Sequence, residues 1–169
     1  NSMIVHGIPG DYRLAEGDLI SIDVGVTLDG FVGDSAYTFP VGEIDAEARR
    51  LLDVGQAALA AGIEAAQSGN HVGDVSSAVQ RVTEDAGFSI VRSLVGHGVG
   101  RSMHEEPQVP NYGEPGHGPK LAPGMTIEIR VTKQNTIGRY FRFRFTNARV
   151  IGSECALSAK GKPTGCSPV

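Results

Sequence analysis

From Leu19 to Thr27 the chain alternates without a break: Ile20, Ile22, Val24 and Val26 fall on one side, Ser21, Asp23, Gly25 and Thr27 on the other. Successive side chains of extended backbone point to opposite faces, so this period of two specifies a strand with one apolar face. Asp29-Gly30 follows, the dipeptide best suited to a two-residue turn in which both residues take a positive φ. Phe31 to Phe39 is then the return strand. Residues 19–39 are therefore expected to form an antiparallel hairpin whose apolar face packs on helices.

The turn also fixes the register. With Asp29-Gly30 at the tip, Asp23 lies opposite Ala36, and Asp34 sits two residues from Ala36. Both carboxylates then point to the same sheet face as diagonal neighbours, a separation that a bound cation can bridge. Two such carboxylates repel unless a cation or a proton lies between them. Ordinary acids on a solvated outer face are the alternative.

Asp45 to Gln67 has helical spacing, with Leu51, Val54 and Ala58 beside Leu52, Leu59 and Ile63, and acids in its first turn suit the helix dipole. Asp74 to Ala86 predicts a second helix ended by Gly87. Phe88 to Val95 has the composition of a strand, Gly96 to Gly118 that of ordered loops, and Pro123-Gly124 turns into a strand near Met125. The order predicts an α+β domain with an antiparallel sheet.

A chain of 169 residues, 40% hydrophobic, supports one domain with a core. A net charge of −4 excludes a global polyanion binder, and no apolar run is long enough to span a bilayer. No charged-then-apolar leader opens the sequence, so a soluble, unexported protein is expected. Cys155 and Cys166 make neither a disulfide framework nor a zinc site, which fits a reducing compartment, the cytoplasm. Charge is unevenly spread. Residues 1–128 hold seven Lys and Arg against eighteen Asp and Glu, whereas residues 129–169 hold eight against one. Residues 1–128 and 129–169 are accordingly treated as two units, the second a basic C-terminal segment.

Two histidines lie in neighbouring glycine-rich turns, His97 in Gly96-His97-Gly98-Val99-Gly100 and His104 at the head of His104-Glu105-Glu106-Pro107. Flanking glycines permit close backbone approach. A strand-borne carboxylate pair with an imidazole beside it favours Mn, Fe(II) or Co over a thiolate-bound zinc. Bridging carboxylates suit two such ions a few ångströms apart.

Several blocks, in order, resemble the signature of type I methionine aminopeptidases of peptidase family M24: His6-Gly7-Ile8-Pro9, Ile22-Asp23-Val24 with Gly33-Asp34-Ser35, Gly96 to Arg101, and His104 to Val109. The resemblance covers residues 1 to about 128 and does not include the family's N-terminal portion, which supplies part of the methionine pocket. It implies a pita-bread fold holding two divalent metal ions, Co, Mn or Fe, through two Asp, one His and two Glu. By motif, Asp23, Asp34 and His97 are metal ligands, with Asp34 bridging. His104 hydrogen-bonds the scissile carbonyl, and His6 contacts the scissile amide nitrogen. A metal-activated water is the nucleophile, and a ligand glutamate handles its proton. His6 and Met103 help to form the methionine pocket, where the family usually has an aromatic residue at the position of Met103. The implied partners are nascent polypeptide N-termini, with transient ribosome association, no specific nucleic acid, and a monomeric enzyme.

The family's fourth ligand, a Glu five residues beyond Pro-Gly-Met, aligns with Arg130; Glu128, two residues earlier on the same strand face, takes that place after a slip. The fifth ligand has no counterpart, since Glu154 in Ser153-Glu154-Cys155 does not match. An abrupt change of composition after residue 128 reads as a change of reading frame, with a basic RNA- or ribosome-binding tail as the alternative. Weak or absent activity is expected. The rival functions are a non-catalytic binding module on the same fold and an M24 peptidase of the Xaa-Pro type.

Overall fold

The computed structural model describes residues 7–122 with their side chains and, beyond them, the backbone of four strands. Strands β1 (Leu19–Leu28) and β2 (Phe31–Pro40) pair antiparallel, with Leu28 opposite Phe31. Asp29 and Gly30 have φ of 52° and 77°, the double positive φ of a type I′ turn, whose twist matches that of the strands it joins. Asp23 is opposite Ala36 and Asp34 opposite Gly25, the register the turn predicts.

One expectation is corrected. The apolar face of the hairpin is not packed under helices: Ile22, Val24 and Val26 are 47%, 46% and 47% exposed. Only near the open end do Tyr37 and Phe39 lie ring to ring at 4.7 Å, with the Tyr37 hydroxyl accepting a hydrogen bond from Gln56 Nε2 at 2.9 Å. The helices meet each other through small residues, Ala58, Gly62 and Ala78 being buried. A Cβ at Gly62 would sit 2.9 Å from Val79 Cγ2 and 3.6 Å from Val75 Cγ1. Leu51 and Leu59 of α1 remain 46% and 58% exposed, so that helix does not cover the hairpin with them.

Helix α1 (Ala46–Ala65) begins one residue inside the predicted boundary, because Asp45 is its cap and accepts from the Ala48 N–H at 2.7 Å. At the far end Asn70 Nδ2 donates to the Ala65 carbonyl and Gln67 Nε2 to that of Glu64, satisfying acceptors that the last turn leaves free. Helix α2 (Val72–Asp85) starts two residues before Asp74. Asp74 is its third residue, and its carboxylate reaches back to accept from the N–H of the cap, His71, at 2.7 Å.

Residues 88–94 are not the expected strand. Arg50 stacks on Phe88 at 5.0 Å and Arg92 on Tyr112 at 4.6 Å, so these aromatic rings are held by guanidinium faces instead of a ladder. The strand starts at Val95. β3 (Val95–Gly98) pairs antiparallel with β4 (Glu105–Pro110), placing His97 opposite Gln108. Both lie in the stretch that composition assigns to loops. The backbone then continues through an antiparallel sheet of β5 (Thr126–Val131), β6 (Arg139–Phe145), β7 (Val150–Leu157) and β8 (Pro163–Pro168), in that order.

The described core is small and sits at the start of α2: Ala66, Val72 and Leu121 are buried together, with Val75 and Val109 against them. Residues 116–121 are laced to this point by backbone hydrogen bonds, Val72 N–H to the Pro119 carbonyl, Gly73 N–H to that of His117, and Leu121 N–H to that of Asn70. Donors that a helix start leaves unpaired are thereby satisfied. Asp74 completes the clasp by accepting from the Gly116 N–H at 2.9 Å.

The N–H groups of His71 and Gly116 hold the Asp74 carboxyl below its ordinary value of 3.8. A depressed folded pKa contributes stability that is present above the unfolded value and is lost as pH falls through the folded one. Asp74→Asn should therefore flatten the acid limb of stability below roughly pH 4. Urea midpoints between about pH 6 and pH 2 should fall more steeply for the native chain than for the variant; equal slopes would contradict the assignment.

Candidate metal centre

Asp34 and His97 come from different elements and meet at the candidate centre. Asp34 Oδ2 stands 3.5 Å from His97 Nε2, with side-chain exposures of 27% and 23%. His97 Nδ1 lies 2.9 Å from the Gly98 carbonyl. A carbonyl can only accept, so in the neutral ring Nδ1 carries the proton and Nε2 presents a lone pair to the carboxylate. Two acceptors facing each other beyond hydrogen-bond length repel unless something positive is shared between them. Ring-N–H contacts of this kind are what orient metal-ligating histidines. The donor chemistry, carboxylate oxygen with one imidazole nitrogen, fits a hard divalent ion.

The glycines of this turn are required by space. A Cβ at Gly96 would sit 3.0 Å from the Val109 carbonyl, and one at Gly98 would lie 2.8 Å from the Glu106 carbonyl carbon. The register shifts between His97 and Gly98, and such a bulge re-aims the side chains beside it. His104, exposed in the loop ahead of β4, places its ring 4.2 Å from that of His97 at 51°.

Asp23 shares the sheet face of Asp34, one diagonal step away. Diagonal partners stand roughly 7–8 Å apart, and among the described residues no three or more His, Cys, Asp or Glu side chains form a metal-binding group. The structure brings Asp34 to His97 and stacks His104 beside His97, with Asp23 one diagonal step from Asp34. His6 lies outside the described residues. Glu128 lies on β5 with its backbone registered opposite Arg142.

Met103 bears on the same face. Its side chain lies against Gly25, where an added Cβ would collide with Cε and come within 3.5 Å of Sδ. The flexible thioether therefore lies at the strand position opposite Asp34 and two residues from Asp23. Sequence reasoning gave no part to Arg101, whose guanidinium stacks over Phe31 at 4.6 Å. Together with the 2.7 Å bond from the Val32 N–H to the Gly100 carbonyl, it ties the histidine-bearing loop to the hairpin tip. Its position at the end of Gly-His-Gly-Val-Gly-Arg, next to a loop built for close approach, was the available signal.

Residues 1–152 match the metallopeptidase family M24 pattern, and the chain belongs to that family. The match passes residue 128, where the composition changes. Within the family, this chain is similar to methionine aminopeptidases. It is 44% identical over 159 residues to methionine aminopeptidase 1 of Bacillus subtilis, covering 92% of this chain and 64% of that one. It is 49% identical over 129 residues to the methionine aminopeptidase of Clostridium perfringens, covering 76% and 52%. A crystal structure of methionine aminopeptidase from Rickettsia prowazekii superposes with a TM-score of 0.69 at 31% identity, over 96% of this chain and 68% of that one. The architecture is the α+β pita-bread fold of that family. The chain spans between 52% and 64% of the length of these two curated relatives.

Proposed function

We propose that the chain is the catalytic portion of a metal-dependent aminopeptidase that removes the N-terminal methionine of nascent proteins. The observation that carries this is the Asp34 carboxylate facing His97 Nε2 at 3.5 Å, on a sheet face that also bears Asp23. Asp23, Asp34 and His97 hold two divalent ions, Mn, Co or Fe(II), with Glu128 as a fourth ligand. Bound there, the ions supply Lewis-acid polarisation of the scissile carbonyl and an activated nucleophile at neutral pH.

The chain's own residues do the rest. His104 donates a hydrogen bond to the oxygen that gains charge, a contribution of a few kcal/mol when the donor is held in place. His6 meets the scissile amide nitrogen, and Met103 lines the pocket for the first side chain. Among the described residues no helix is long and apolar enough to cross a membrane. The proposed enzyme works in the cytosol as a monomer and meets nascent chains in transient contact with the ribosome.

A second reading, a member of the fold with an impaired metal centre, is favoured by the register of Glu128 against Arg142. Release of methionine from Met-Ala-Ser, with Mn or Co added, separates the two. Under the first reading that peptide is cleaved, an Xaa-Pro peptide is not, and a chelator abolishes turnover. Metal bound with no methionine released selects the second.

A further inference from the structure

The carboxylate of Glu105 has no part in the chemistry above, yet the loop that carries His104 is wrapped around it. At the bulge the ladder jumps from His97 opposite Gln108 to Gly98 opposite Glu105, so residues 99–104 leave the sheet as one loop. Glu105 Oε1 accepts a hydrogen bond from the Ser102 N–H at 2.8 Å. The same carboxylate lies over Gly100, where a Cβ would stand only 3.0 Å from its carboxyl carbon. Gly100 N–H donates to the Ser102 carbonyl at 3.2 Å, closing the loop on itself.

The two ends of this loop are fixed elsewhere. Gly100 and Arg101 are tied to Val32 and Phe31 of the hairpin. His104, the residue just before Glu105, rests its ring 4.2 Å from that of His97. Between these anchors the Glu105 carboxylate is the described side chain that sets the course of the backbone. An anion accepting a backbone N–H makes a stronger and more directional bond than a neutral acceptor.

We infer that Glu105 is a positioning residue: by holding the Ser102 N–H and seating Gly100, its carboxylate fixes His104 beside His97 and aims it at the substrate carbonyl. This rests on the peptidase function proposed above. A misplacement of about 1 Å at a catalytic donor can lower the rate by roughly 100-fold.

The test compares the Mn-loaded chain with Glu105→Ala, Glu105→Gln, His104→Ala and the double variant Glu105→Ala/His104→Ala. Glu105→Ala should lower kcat on Met-Ala-Ser by roughly 100-fold with little change in KM or Mn affinity. Glu105→Gln, which keeps a carbonyl oxygen for Ser102, should recover most of the rate, and the double variant should be no slower than His104→Ala. A second readout needs no turnover. In the metal-free chain, where no paramagnetic ion broadens it, the imidazole Cε1–H resonance of His104, shifted by the neighbouring His97 ring, should move toward the free-imidazole position in Glu105→Ala and stay in Glu105→Gln. Resonances unmoved by Glu105→Ala, or additive losses in the double variant, would overturn the inference. A native chain that releases no methionine counts against the peptidase proposal alone, and the resonance comparison still decides for or against Glu105.

Discussion

Asp34→Asn should weaken Mn binding by at least about 100-fold and take methionine release from Met-Ala-Ser to background. The substitution keeps the shape of the side chain and one carbonyl oxygen, so the hairpin, anchored by its Asp29-Gly30 turn and its ladder, should fold as before. What it removes is the negative charge that faces His97 Nε2 across 3.5 Å. Without that charge one imidazole lone pair is left opposite a neutral dipole, and the attraction for a divalent ion drops steeply. Changing a group that merely orients a metal ligand costs 10–100-fold in affinity or activity, so losing a ligand charge must cost at least about the upper end of that range. Calorimetric titration with Mn measures the binding term directly, and circular dichroism checks that the fold is retained. Native-like Mn affinity in a folded Asp34→Asn chain would remove Asp34 from the metal centre, and the proposed function with it.

The pairing on which this depends was partly legible in the sequence. Period-two alternation and an Asp-Gly turn are local signals, and together they fix which face Asp23 and Asp34 share. The identity of His97 as their companion came from motif resemblance, because nothing local says where a glycine-rich turn folds back. β3 and β4 show why. Their residues, Gly96, Gly98 and Pro107 among them, have little strand propensity, and the ladder exists through the long-range pairing of His97 with Gln108.

The opposite holds at residues 88–94, where composition suggests a strand and the backbone forms none. Phe88, Ile90, Val91 and Leu94 suggest a strand, yet Val91 and Leu94 are 56% and 41% exposed, and Phe88 is stacked under Arg50. Helix α2 starts two residues before the predicted Asp74 because its cap, His71, is an uncommon one and gives no signal in the sequence. That the hairpin's apolar face is uncovered was not legible, because periodicity shows that a face is apolar and not what packs on it: α1 meets α2 through Gly62 while its Leu51 and Leu59 stay exposed.

Gly73→Ala carries the largest expected loss of stability, and propensity alone predicts the wrong sign. Gly73 occupies the first turn of α2, and replacing glycine by alanine in a helix ordinarily gains roughly 1 kcal/mol. Here the new methyl would run into the Glu114 carbonyl and lie 2.7 Å from that of His117. Both are backbone atoms, so no side-chain rotation relieves the clash; residues 114–117 must move away. Moving them breaks the bond from the Gly73 N–H to the His117 carbonyl and that from the Gly116 N–H to Asp74, and it opens the cluster of Val72 and Leu121. Overpacking costs of about 1–3 kcal/mol and the loss of two hydrogen bonds at about 1 kcal/mol each outweigh the propensity gain. A net destabilisation of about 3 kcal/mol follows, or roughly 6–12 °C in melting temperature for a chain of this size. Gly55→Ala supplies the reference: it is also helical, a Cβ there meets nothing within 4 Å, and it should melt at or slightly above the native temperature. If Gly73→Ala melts with Gly55→Ala, the clasp between α2 and residues 114–121 does not hold this region together.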